Sequence, residues 1–298
     1  MIQSKPYEFM VQHTPQREWI ERQGILFWLA FFFIELGAGM FIVSSIFGSL
    51  PGMLAGWLIC SVLGGGLHLL YLGHPLRFWR IIFSSGWKTS WISRGLYFVA
   101  LFLVLGLIHM ILAQWASPSV GLLIVADIFA FLAVAYGGLA MNYVNGIQLW
   151  NSALLPVMFV AAGIWGGIGL TIATVLATGA TAVAASLEEW TRLFLLGFII
   201  ILIIYLLSIR YRGLAGKTSV REIIMGRWAS LFWVMVVALG MVLPLVVVLL
   251  GWIGGLAVPV MLLYLVILFE LFGDLSLRYC ILRSGYYSPL IATTTYSY

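Results

Sequence analysis

The chain has 298 residues, 63% of them hydrophobic and 8% charged, with a mean hydropathy of +1.10 and a formal net charge of +5. A soluble domain carries roughly 25% charged residues, so this inventory excludes a water-facing surface, and the cations are not patterned like those of a nucleic-acid-binding fold. The two cysteines, Cys60 and Cys280, fall in apolar runs, which excludes a disulfide framework, a four-cysteine metal site and an iron–sulfur cluster held by this chain.

The first 23 residues are polar and charged, and they carry no pattern of a cleavable signal peptide. A spanning helix needs about 20 apolar residues. Eight such stretches follow, at about 24–48, 52–71, 95–115, 119–142, 153–176, 190–209, 228–251 and 255–280. The expectation is therefore an all-α polytopic protein with one integral membrane domain over 1–298. Pro51, Pro118 and Gly254 mark tight turns between antiparallel helices. An even number of spans puts both termini on one face, here called the N-side.

Span 1 carries Glu35 near mid-depth and the small residues Gly37-Ala38-Gly39, while span 2 carries Gly64-Gly65-Gly66 and ends near His68. Small residues in a membrane helix allow close helix contact. The loop that follows, YLGHPLRFWRIIFSSGWKTSWISR, holds Arg77, Trp79, Arg80, Lys88 and Arg94. Span 3 carries His109 towards the far side. Span 4 carries Asp127 about two turns in from the far side, then Tyr136 near the N-side. Asn142, Asn145, Gln148, Trp150 and Asn151 lie around the next N-side loop. The glycines at 163–169 in span 5 are compatible with a broken helix. Span 8 carries Glu270 at its centre and Asp274 one turn closer to the N-side. Two carboxylates at i,i+4 require a shared proton or a nearby cation.

Fourteen of the fifteen Lys and Arg fall on the N-side: Lys5, Arg17, Arg22, Arg77, Arg80, Lys88, Arg94, Arg210, Arg212, Lys217, Arg221, Arg227, Arg278 and Arg283. Arg192, beside Glu188 and Glu189, is the exception. By the charge rule the N-side, and both termini, face the cytoplasm of an inner membrane. The stretches RGLYFVALFLVLG and RWASLFWVMVVALG each follow a basic loop two spans into a half, which suggests two four-helix bundles in the same orientation.

Ionisable groups inside a membrane are costly and mark functional sites by default. Haem is not expected: His68 and His109 sit at opposite depths, about 15–20 Å apart by helix rise, and His13 and His74 lie outside the spans. Tyr136, His68 and Asp274 fall at similar depth under the N-side rim, with Glu35 somewhat deeper. A phenol, an imidazole and carboxylates there suit a quinone, whose carbonyls need hydrogen bonds and whose reduced form exchanges protons. The plainer reading is agreement in depth alone, with the histidines hydrated or bonded to carbonyls and the acids packing features.

Four stretches carry a resemblance. LGHPLRFWR with TSWISRG, the Tyr136–Gly138 stretch, LWNSALLPVMFVAAGIWGG at 149–167 and LRYCILRSG at 277–285 resemble, in this order, segments of the NrfD/PsrC family. Those proteins are membrane anchor subunits of polysulfide reductase and related molybdopterin enzymes. The resemblance implies a haem-free, quinone-binding subunit of a respiratory oxidoreductase complex, using menaquinone or ubiquinone and incomplete as a catalyst alone. Its implied partners are an iron–sulfur, ferredoxin-like subunit and a molybdopterin-type catalytic subunit. It implies a quinone contact at Tyr136. Some members use a histidine near the start of span 1; this chain has none there, and Gln23 and Glu35 are the nearest polar residues, with His68 a substitute from span 2. Several relatives carry their catalytic subunits outside, against the charge rule.

The expectation is a quinone site of Tyr136, His68, Glu35, Gln23 and Asp274, and a proton path through Glu35, Asp127, Glu270 and Asp274. A docking face would use Arg77, Trp79, Arg80, Lys88, Trp150 and Asn151, the cations also suiting membrane lipid. The alternative is an ion-coupled secondary transporter, with Glu35, Asp127 and Glu270 coupling ions.

Overall fold

The computed structural model describes residues 24–83, 85–115, 119–254 and 258–288. Eight helices are long and apolar enough to cross a membrane. They are α1 Gly24–Ile46, α2 Leu50–Tyr71, α3 Trp91–Trp115, α4 Val120–Asn142, α5 Leu154–Ala177, α6 Thr181–Arg210, α8 and α9 Val260–Arg283. Helix α8 joins Ala229–Leu231, Phe232–Val242 and Leu243–Gly254, and α7, Leu214–Ile224, is a short amphipathic helix between α6 and α8. Among the described residues there is no strand, only an isolated bridge between Ile147 and Tyr287.

Helices α1 and α5 are apolar on every side, and such helices are buried. They form the central pair, and their backbones meet at glycines. A Cβ on Gly39 would overlap the Gly163 carbonyl, and one on Gly167 would press into the backbone of Gly39 and Met40. The small residues of α1 thus serve close contact, and Gly163 and Gly167 are their counterpart at i,i+4. A hydrogen bond of 3.0 Å between Ser44 and Thr171 ties the same pair further down. Around them, α1 meets α2 and α4, and α3 meets α4; α5 meets α6 and α9, and α8 meets α9.

Three expectations need correction. Helix α5 is continuous over Leu154–Ala177, because its glycines let neighbours approach rather than break the helix. The irregular turns are elsewhere: Ile59–Gly65 in α2 and Phe232–Val242 in α8 are wound wide, as π-helix. Helix α6 begins at Thr181, since Glu188, Glu189 and Arg192 are carried on its far-side turns. Arg278 is not a surface cation: it is 3% exposed and paired inside the membrane.

The wide turn in α2 positions a side chain. Gly52, Gly56, Cys60 and Gly64 recur every four residues and are buried, Gly56, Cys60 and Gly64 against α1. Four α-helical residues overshoot a full turn by about 40°. A stretch with i→i+5 bonds turns less per residue, cancels that drift and keeps His68, the next in the series, on the α1 side.

Candidate functional site

His68 stands on α2 with Phe27 and Phe31 of α1, each ring 5.4 Å from the imidazole. Phe31 also lies 5.1 Å from the ring of Tyr136 on α4, and Tyr136 lies 6.2 Å from His68. Tyr71 stacks on Phe27 at 4.7 Å and closes the aromatic group. Tyr136 is held in place from behind: a Cβ on Gly95 of α3 would sit inside its ring, so only glycine fits there. The Gly64 carbonyl, one turn back on α2, lies beside His68, but neither ring nitrogen has a partner in hydrogen-bonding geometry among the described residues.

His68 and Tyr136 face a cavity of about 250 Å³ between α2, α3 and α4, with Ile34 of α1 on its wall. The rest of the lining is almost wholly apolar, and the roof is Phe78 and Ile81 from the loop after α2. This accounts for that loop. Short helical turns at Pro75–Arg77 and Trp79–Ile82 place Phe78 and Ile81 inward, while Arg77, Trp79 and Arg80 stay exposed. An apolar slot ending in an imidazole and a phenol can hold a flat ring and hydrogen-bond its polar edge.

The other acids stand apart from this cavity. Glu35 is 1% exposed and accepts two hydrogen bonds of 2.5 Å from Arg278, whose Nε donates to Asp274 at 3.0 Å. The guanidinium lies 4.3 Å from the ring of Phe159. Arg278 is thus the cation that a carboxylate at Asp274 requires. Two carboxylates and one guanidinium carry a net charge of −1 when all are ionised, and one shared proton makes the group neutral. Glu270, one turn along α9, faces a different cavity of about 260 Å³, lined also by Glu188, Thr191 and Arg192 on the far side. Asp127 lies elsewhere again, accepting from Ser45 of α1 at 2.9 Å, its second oxygen without a partner among the described residues. Gln23 lies outside the described residues.

Two of the residues expected to face a partner are claimed by the fold itself. Trp150 is fully buried and its indole donates to the Ile281 carbonyl at 2.9 Å, so it is not available for docking. Asn151 is partly exposed; its side chain bonds to Asn142 and Asn145, and its carbonyl accepts from Arg212. Tyr205 binds the Leu149 carbonyl, and Gln148 accepts from Gly216 at 2.8 Å. The loop between α4 and α5 is therefore a fixed platform clamped by α6, α7 and α9. Lys88 is exposed beside Arg77, Trp79 and Arg80 in the same N-side loop.

Sequence reasoning missed Gly95, Phe27, Phe31, Phe78 and Ile81 as cavity builders, and Arg278 as the partner of Glu35. The glycine directly after Arg94 was a usable signal for the first. An arginine inside an apolar run, four residues from an aspartate, was one for the last.

The profile of one family, described as "Polysulphide reductase, NrfD", matches residues 13–289. The protein is similar to the C subunit of the polysulfide reductase of Wolinella succinogenes, 30% identical over 269 residues that span 78% of the present sequence and 81% of that subunit. It is also similar to an NrfD homolog of Haemophilus influenzae, 24% identical over 274 residues, 80% of each of the two proteins.

Proposed function

Since this chain belongs to the NrfD family of multi-pass membrane proteins, we propose that it is the quinone-binding anchor subunit of an oxidoreductase complex. The observation that carries this reading is the apolar cavity that ends at His68 and Tyr136 under the cationic N-side loop. A bound quinol supplies two electrons and two protons on oxidation. Tyr136 donates a hydrogen bond to one carbonyl of the ring, and Phe31 keeps its phenol aligned with the imidazole. His68, whose ring nitrogens have no partner in hydrogen-bonding geometry among the described residues, hydrogen-bonds the other and moves a proton. Phe78 and Ile81 exclude water from above.

Menaquinone or ubiquinone fills the slot in this reading. The exposed Arg77, Trp79 and Arg80 meet an acidic iron–sulfur subunit, with a molybdopterin-type catalytic subunit beyond it. The name of the Wolinella relative, one subunit of a polysulfide reductase, supports a multi-subunit setting. Glu35 and Asp274, joined through Arg278, and Glu270 beyond them form a proton path in the second half, with Asp127 a separate proton-exchanging group in the first. The N-side is cytoplasmic on the charge rule.

The test is purification of the tagged protein in mild detergent with its partners, followed by quinol-linked turnover. Iron, labile sulfide and a quinone co-purify, without haem absorbance. Tyr136→Phe and His68→Ala lower turnover at least ten-fold, a size typical of losing a positioned proton-transfer group, in complexes that still assemble. Full turnover in both variants sinks the reading, as does uptake of a solute by the protein alone.

A further inference from the structure

A second hollow lies back to back with the first across α3. It is a groove of about 350 Å³ lined by Trp87, Arg94, Tyr97, Phe98, Leu101 and Phe129. Helix α3 turns Gly95, Leu96 and Val99 towards the His68–Tyr136 cavity and Arg94, Tyr97, Phe98 and Leu101 towards the groove. From Arg94 to Leu101 the helix rises by about 10 Å, so the groove descends from the N-side rim through much of one leaflet of a hydrocarbon core about 30 Å thick. Below Arg94 its walls are aromatic or aliphatic, and Leu101 is exposed.

The mouth is cationic. Arg94 donates to the carbonyls of Trp87, at 2.9 Å, and Lys88, at 2.5 Å, with its guanidinium 4.8 Å from the ring of Trp91. The Lys88 ammonium lies 5.8 Å from the ring of Trp87. No carboxylate is near in sequence: there is no Asp or Glu between Glu35 and Asp127. Of those two residues, Glu35 is paired with Arg278 and Asp127 accepts a hydrogen bond from Ser45. Both cations also flank the N-terminus of α3, where the helix dipole adds positive potential. With Arg94 in its lining and Lys88 beside the Trp87 ring at its rim, the groove joins a cationic mouth to an apolar floor in one leaflet, which are the two halves of an anionic lipid.

We propose that this groove binds one anionic phospholipid, its phosphate at Lys88 and Arg94 and an acyl tail along Tyr97, Phe98, Leu101 and Phe129. The site has a consequence for its neighbour. Trp91 and Phe98 pack against the cluster that contains Phe31 and Tyr136, so the bound lipid steadies the rear wall of the first cavity. Only this consequence rests on the proposed quinone function; lipid binding does not.

The experiment is native mass spectrometry of the full-length protein, delipidated in mild detergent and titrated with phosphatidylglycerol or phosphatidylcholine of the same acyl composition. One phosphatidylglycerol is retained with roughly thirty-fold preference, the scale expected for two cations at a membrane surface. Lys88→Gln, whose side chain is exposed, lowers the preference several-fold. Leu101→Trp, which fills the groove from a lipid-facing position, removes the retained lipid. Equal retention of both lipids, or a preference unchanged in both variants, overturns the proposal. So does equal retention combined with loss of a co-purifying partner from Leu101→Trp, which assigns the groove to a protein helix instead.

Discussion

Arg278 on α9 grips both carboxylate oxygens of Glu35 on α1, 243 residues away, and turns its remaining nitrogen to Asp274. This is the one place where the first and last spans are tied by charge among the described residues. The geometry is bidentate, the arrangement in which an arginine–carboxylate pair is strongest.

Breaking that grip from one side leaves a buried charge without its partner. Arg278→Gln should destabilise the protein by about 3–5 kcal/mol, read as an earlier thermal transition in detergent. Adding Glu35→Gln to it should recover much of the loss, because the orphaned carboxylate is then gone. A double variant no better than Arg278→Gln alone would mean that the pair is not what the arginine is holding.

Gly95→Ala should separate ligand binding from folding. The added methyl group meets the Tyr136 ring, and overpacking of this kind costs about 1–3 kcal/mol. The displaced ring should weaken quinone binding at least several-fold in isothermal titration with a soluble quinone analogue. Gly66→Ala, with open space around its Cβ, should leave binding unchanged.

Arg77 and Arg80 are exposed on the roof of the cavity, with Arg80 lying 5.6 Å from the ring of Trp79. Replacing both with Gln should weaken capture of the partner subunit and flatten the salt dependence of that capture, because exposed charges act over about 10 Å at 0.1 M salt. Pull-down across a salt series measures both. Capture that responds to salt as strongly as the wild type would place docking elsewhere.

Trp150→Phe removes a buried hydrogen bond and strands the Ile281 carbonyl. The expected cost is about 1–3 kcal/mol, seen as a lower melting temperature, with partner capture unaltered at a temperature where the variant is folded. Loss of capture without loss of stability would return Trp150 to the docking face.

The number of spans and the polar outliers were legible because the bilayer makes both conspicuous. A charge at Glu35 or Glu270 in an apolar run stands out whatever surrounds it. Partners were harder to read. Arg278 lies close enough to the end of its span to be counted with surface cations, and only packing brings it to Glu35. Trp150 follows the same logic: it sits among polar residues in the sequence, yet the loop folds it under α9. The wide turn at Ile59–Gly65 left no signal, since bonding from i to i+5 demands no special residue, and the four-residue recurrence of small side chains around it is intelligible only once the turn is seen. Depth grouped Glu35 and Asp274 with His68 and Tyr136; the direction each side chain takes around its helix, which depth does not contain, separates them.

Helix α1 bears on both halves of the molecule through adjacent residues: Ile34 lines the first cavity, and Glu35 is in the hands of Arg278. Neighbouring side chains on a helix leave its axis about 100° apart, so one rod, seamed to α5 along glycines, acts as an axle with a crank on each side. Ile34 therefore gives the cavity its wall while Glu35, the next residue, anchors the last span, so the position of that wall and the seating of α9 are set by one and the same stretch of backbone.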